Sequence, residues 1–297
     1  MLLLDGTLQR VNSTWCILLM CLIPATNSRY CGTPRRQIIQ SSTDDKIAYP
    51  FAVSLELGRS VILRLPIFRK CTGSLIKDRW VLTAGHCLSP NLRLVRCGNL
   101  LLQRNKSVCL SKIRKKIPHP EFVFLIGKTG NVIIENDIGL LYIDSVPIKK
   151  YGHIHTGHYK SFTGRTCRYA GFGTIFPIIG TPEKHLNRLL IDNKMLLQIG
   201  EGVVRDWNDT NLIKTIKPVM IVGPKSFKKW QKLHRVDSGS PLLIDDKIVG
   251  VHSVSDGLRK YTNYSFFTPI SPYIDWIKDI TGSPEMYLNL FNLFTVP

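Results

Sequence analysis

Trp80-Val-Leu-Thr-Ala-Gly-His86-Cys87 is a short apolar strand that runs into a tight turn and ends on a histidine beside a cysteine. A histidine so placed can be pinned by a disulfide to the preceding strand, which fixes a base without lengthening its hydrogen bonds. Cys71-Thr-Gly-Ser-Leu-Ile lies just upstream. Taken alone, such a histidine is more often structural than catalytic. Downstream, Glu135-Asn-Asp137-Ile-Gly-Leu-Leu places an acid at the head of an apolar strand, where aspartate usually serves as a turn or cap residue. Further on, Arg235-Val-Asp237-Ser238-Gly239-Ser240-Pro241 wraps a tight backbone turn around one hydroxyl.

Outward from these segments the chain reads as all-β. Phe51-Ala-Val-Ser-Leu-Glu-Leu, Ile138-Gly-Leu-Leu-Tyr-Ile, Pro218-Val-Met-Ile-Val and Lys247-Ile-Val-Gly-Val are apolar or alternating runs divided by Gly, Pro, Asn and Asp. Strands so spaced suggest a sandwich or barrels. One helix is expected, over 272–281, where Ser271 offers a cap, Pro272 a first-turn proline and Gly282 a stop.

The 297 residues carry 40 Lys+Arg against 21 Asp+Glu, a formal charge of +19, and 44% of them are hydrophobic. That apolar fraction supports a core and excludes wholesale disorder. The charge alone fits nucleic acid, anionic surfaces or acidic substrates. The N-terminus narrows the choice. Trp15 to Ile23 is a nine-residue apolar run, followed by Pro24 and small or polar residues through Ser28. It is too short to span a bilayer and reads as a secretory signal over 1–28. No other stretch is long and apolar enough for a transmembrane helix. Export disfavours nucleic acid as a partner, and no reading helix or aromatic-basic motif argues for it. Cys31, Cys71, Cys87, Cys97, Cys109 and Cys167 remain after the leader, an even set without CxxC spacing, which favours disulfides over a metal site. Asn105, Asn208 and Asn263 begin glycosylation sequons.

The TAGHC, DIGLL and DSGSP strings, in the order His, Asp, Ser, resemble the trypsin/chymotrypsin family of secreted serine endopeptidases. The resemblance runs from about Ile38 to Thr281. It implies an all-β fold of two packed six-stranded antiparallel barrels with a C-terminal helix and an active site in the cleft between barrels. The expected organisation is a propeptide-like segment 29–37, a protease domain 38–282 (barrels about 38–150 and 151–270) and a tail 283–297. Carried over, Ser238 attacks the scissile carbonyl, His86 takes its proton and Asp137 holds the imidazole. The N–H groups of Val236 and Ser238 face the oxyanion. Cys71–Cys87 is the histidine-loop disulfide, and Cys97–Cys109 resembles an extra loop bridge in some insect members. Cys31 and Cys167 are left to pair by elimination or to remain free. No metal or organic cofactor is implied. The expected partners are protein or peptide substrates, serpin-type inhibitors and polyanionic surfaces met by Lys112 to Lys116 and Lys225 to Arg235, with the protein a monomer.

Several positions depart from the family pattern. Val236 stands where glycine is usual, and a β-branched residue restricts the backbone that must aim an oxyanion donor. Lys232 occupies the pocket base, Ser253 and Ser255 flank Val254 on one wall, and Ser265 aligns with the other wall. These residues exclude trypsin-like specificity and leave an acidic or a small side chain as alternatives. An Ile38 amine is expected to pair with Asp237 on activation, although the bond to be cut follows Gln37 rather than a basic residue. The departures also admit a catalytically weak or silent homologue that binds through the protease scaffold.

Overall fold

In the computed structural model the described residues are 49–57, 69–97, 109–127, 132–171, 197–206, 215–225, 237–255 and 264–282, with two N-terminal strands, Leu2–Leu4 (β1) and Thr7–Gln9 (β2). The Trp15–Ile23 run, Ile38, Lys232, Val236, the three sequons and the segment after Gly282 lie outside them.

Ala52–Leu57 (β3) shows why the strands close into a barrel. Every side chain but the last is buried, on both faces of the pleat, so one face fills a barrel interior while the other packs against further elements. Its one charged side chain is neutralised by pairing. Glu56 Oε1 accepts from Arg96 Nε at 2.7 Å, with both side chains almost wholly buried.

β3, Arg69–Lys77 (β4), Trp80–Thr83 (β5), Leu92–Cys97 (β6), Cys109–Pro118 (β7) and Gly139–Ile143 (β10) form one closed barrel. Thr166–Gly171 (β11), Gln198–Arg205 (β12), Met220–Gly223 (β14), Pro241–Ile244 (β15), Lys247–Val254 (β16) and Ser265–Pro269 (β17) form the second. All pairings within both barrels are antiparallel. Val123–Ile126 (β8), Val132–Glu135 (β9) and Ile216–Lys217 (β13) join β1 and β2 in a separate sheet. The all-β expectation of two six-stranded barrels therefore holds, and the apolar runs read from sequence coincide with β3, β5, β10, β14 and β16.

One apolar cluster crosses from the first barrel to the second, joining Leu75 and Ile143 with Ile248, Val251 and Ile270. Another fills the second barrel with Tyr169, Val222, Leu242 and Phe267. Burying a side chain of this size contributes roughly 1.5–3 kcal/mol, so the shared cluster holds the two barrels in fixed register.

The terminal helix begins later than its sequence suggests. Ser271–Tyr273 is a 3-10 turn, and α1 runs from Ile274 to Gly282. Ser271 does not cap it, because its hydroxyl accepts from the Tyr159 N–H at 3.1 Å instead. Ile277 and Ile280 anchor the helix to the core, and Lys77 Nζ donates to the Thr281 carbonyl at 3.0 Å, a cation at the negative end of the helix. Among the described residues no helix is long and apolar enough to cross a membrane.

Among the described residues two disulfides form, Cys71–Cys87 and Cys97–Cys109, the second tying β6 to β7. Of the two alternatives for Cys31 and Cys167, the structure has Cys167 as a buried free thiol, and Cys31 lies outside the described residues. Counting cysteines could not show that Cys167 faces inward from β11, packed with Phe162 and Val222. Burial pushes its thiol up to about 12, so it stays protonated and behaves as a small apolar group.

Candidate active site

The fold brings His86, Asp137 and Ser238 into one region by three different routes. β5 ends at Thr83 and the chain enters the 3-10 turn Gly85–Cys87, which places His86 at the rim of the first barrel. The Cys71–Cys87 bridge pins that turn to β4. Asp137 precedes β10, whose Gly139 pairs with Thr83, so acid and histidine emerge from neighbouring strands. Ser238 comes from the second barrel, on the turn that leads into β15. A bond between barrels fixes that turn, with the Thr72 N–H of β4 donating to the Ser238 carbonyl at 2.8 Å.

Gly239 makes this docking possible. Its φ is +86°, and a Cβ there would run into the Thr72 carbonyl and the Thr83 hydroxyl, which are themselves bonded at 2.8 Å. Gly239→Ala is therefore expected to lower the unfolding free energy by roughly 2–4 kcal/mol. Urea denaturation checks it, and an unchanged midpoint contradicts it.

His86 and Asp137 share two bonds. The His86 N–H donates to Asp137 Oδ1 at 2.9 Å, and His86 Nδ1 lies 2.8 Å from Oδ2. Ser253 Oγ also donates to Oδ2, at 2.5 Å. A carboxylate can only accept, so Nδ1 carries the imidazole proton and Nε2 presents its lone pair. Burial would raise the Asp137 pKa. The charge and ring hydrogen bond of His86, the Ser253 hydroxyl and the His86 N–H outweigh it and hold the carboxyl below its ordinary value.

Ser238 Oγ donates to the Ser253 carbonyl at 3.5 Å, and among the described residues it makes no hydrogen bond to His86. Its own N–H donates to none of the described backbone acceptors. Asp237 is buried directly behind it. Cys71, Cys87 and His86 place their ligand atoms within 4.8 Å of one another, but the two sulfurs are bonded to each other, which leaves only the histidine able to ligate.

Of the expected pocket residues, Ser253, Ser255 and Ser265 are all buried, and the Ser253 carbonyl accepts from Ser238 Oγ. Two roles escaped the sequence. Ser253 was read as a pocket wall, yet its hydroxyl holds Asp137. His252 belongs to no sequence motif, yet its carbonyl accepts from the Gly239 N–H at 2.8 Å. A polar pair within the valine-rich β16 was the available signal.

The trypsin family model matches residues 38–277. The thrombin-like enzyme AhV_TL-I of Gloydius halys is 27% identical over 234 residues, covering 77% of this chain and 90% of that protein. Granzyme M of Rattus norvegicus is 29% identical over 251 residues, 80% of this chain and 86% of its own. Among solved structures, mouse neuropsin, a serine protease, superposes with a TM-score of 0.60 at 24% identity, covering 78% of this chain and 95% of that chain, a likeness of fold. With the family match spanning most of the chain and the barrels arranged accordingly, this protein belongs to the trypsin family of serine proteases.

Proposed function

We propose that the protein is a secreted serine endopeptidase acting through Ser238, His86 and Asp137, with a specificity other than trypsin's. The observation that carries this reading is the pair of hydrogen bonds between His86 and Asp137, which puts the imidazole proton on Nδ1 and leaves the Nε2 lone pair for the work of a base. Rotation of the Ser238 side chain away from the Ser253 carbonyl is the movement the mechanism requires. Ser238 Oγ then bonds to the scissile carbonyl carbon as its proton passes to Nε2. The oxyanion so formed takes hydrogen bonds from the Ser238 and Val236 N–H groups. His86 returns the proton to the leaving amine, the C–N bond breaks, and an acyl-enzyme remains. Water, deprotonated by the same imidazole, releases the acid.

Secretion follows from the leader over 1–28, and activation from an Ile38 amine reaching Asp237, whose burial suits an internal ion pair. Glycosylation at Asn105, Asn208 and Asn263, serpin-type inhibitors and polyanionic surfaces belong to the same reading. A fluorophosphonate tests it: covalent labelling of the secreted, processed protein at Ser238 is expected, and none after N-terminal sequencing shows Ile38 exposed would falsify it. Val236 makes this a slow enzyme, because one misaimed oxyanion donor costs roughly 10²–10³ in kcat. Val236→Gly is accordingly expected to raise kcat by about tenfold or more. An unchanged or lower kcat for Val236→Gly counts against the hole as the weak point.

A further inference from the structure

Asp137 owes its place to the residue before it. β9 ends at Glu135, and Asn136 then takes the left-handed backbone conformation, with φ at +51°. That conformation breaks the strand one residue ahead of the acid, and asparagine is among the few residues with a side chain that tolerate it. Every polar group of Asn136 is used. Its N–H donates to the Lys217 carbonyl of β13 at 3.0 Å, and its carbonyl accepts from the Ile138 N–H at 2.7 Å. Its Nδ2 donates to the Glu121 carbonyl at 3.0 Å, and its Oδ1 accepts from the Tyr273 hydroxyl at 2.8 Å. A carbonyl can only accept, so the Glu121 contact fixes which way round the amide stands. Tyr273 must then be the donor, and burial pushes its phenol pKa up, which keeps the proton in place.

An asparagine at a strand end is usually no more than a turn residue. Here both ends of its amide are held by groups distant in sequence, 15 positions away at Glu121 and 137 positions away at Tyr273. The two anchors also support each other. The Tyr273 ring meets His119 edge-on at 5.0 Å, His119 meets Trp276 of α1 at 5.1 Å, and His119 Nδ1 accepts from the Glu121 N–H at 3.2 Å. On the other side of the acid, the His119 N–H donates to the Ile138 carbonyl at 3.0 Å. Asp137 is therefore clamped through both of its chain neighbours. The clamp matters because both carboxylate oxygens are committed, Oδ1 to the His86 N–H and Oδ2 to His86 Nδ1 and Ser253 Oγ. A small backbone rotation at residue 136 would misalign all three bonds at once.

We infer that Asn136, gripped by the Tyr273 hydroxyl, is the positioning residue for Asp137, and that the turn ahead of the terminal helix thereby sets how the acid meets His86. Neither side chain touches substrate or a reacting atom; both act through Asp137. The consequence for catalysis rests on the proteolytic reading above, whereas the geometry of the Asp137–His86 pair does not.

The test is made on the secreted protein. Tyr273→Phe keeps the ring packing and removes only the hydroxyl, and is expected to lower kcat roughly tenfold with KM within about twofold. The acidic limb of its pH–rate profile is expected to move to lower pH, because a loosened carboxylate stabilises the imidazolium less. Asn136→Gly tolerates the left-handed backbone but drops both side-chain bonds, and is expected to lower kcat at least as far. Because Tyr273 acts through Asn136, the double variant is expected to match Asn136→Gly alone rather than multiply the losses. Ile280→Val, which loosens the packing of α1 away from the clamp, is expected to lower the urea midpoint and leave kcat and the pH profile in place. The proton NMR signal of His86 Nδ1–H, which needs no turnover, is expected to move upfield in both single variants as its bond to Asp137 weakens. An unchanged kcat and pH profile in Tyr273→Phe, or losses that multiply in the double variant, overturns the inference. Labelling of the unaltered protein by a fluorophosphonate with an unmoved Nδ1–H signal in the variants leaves the proteolytic reading standing and sinks this one. No labelling with a shifted signal does the reverse.

Discussion

Ser238→Ala is expected to lower kcat for peptide hydrolysis by roughly 10⁴–10⁶-fold while leaving KM within a few fold. The size follows from what is lost. Without Oγ there is no acyl-enzyme, and His86, although still oriented by Asp137, has no proton to take from a nucleophile. The remaining rate comes only from binding and the oxyanion donors. The substitution removes one weak bond, to the Ser253 carbonyl at 3.5 Å, so the fold should be unaffected. Active-site titration with matched thermal unfolding is the check. A loss of activity below about tenfold contradicts the assignment of the nucleophile.

Asp137→Asn is expected to cost about 10⁴ in kcat near neutral pH. An amide presents an N–H where Oδ2 now accepts from both His86 Nδ1 and the Ser253 hydroxyl. The imidazole then protonates on Nε2 and cannot act as base. Stability should change with a defined sign. The Asp137 carboxyl is held below its ordinary value of 3.8, so its contribution is fully present above that value and is lost as pH falls through the lower folded value. The stability gap between the two proteins is therefore expected to narrow only on strong acidification, and urea titrations at stepped pH read it. A gap that is constant into acid contradicts the ionised network.

The strands, and the segments that carry His86, Asp137 and Ser238, were legible because each is written locally. An apolar run such as Trp80–Thr83 specifies its own strand, and short turns fix how His86 and Asp137 leave neighbouring strands. What could not be read depends on contacts distant in sequence. Ser253 reaches Asp137 across 116 positions, and Ser271 is drawn off its helix by Tyr159, 112 positions away. The state of Cys167 stayed open for a related reason, since parity counts partners without knowing which side chains face a barrel interior. The bulge that joins His252 to Ser255 is a register irregularity between β16 and β17, invisible in either strand alone.

The Thr72–Ser238 bond makes Ser238 an indicator of assembly. Its carbonyl is held by a strand of the opposite barrel, so neither barrel can separate, or melt on its own, without displacing the Ser238 hydroxyl. Hydrolytic competence should consequently vanish at the same denaturant concentration as barrel docking, with no active half-molecule in between. Two fragments cut in the loop joining the barrels would each be inert, and mixing them should restore function only as fast as they recombine.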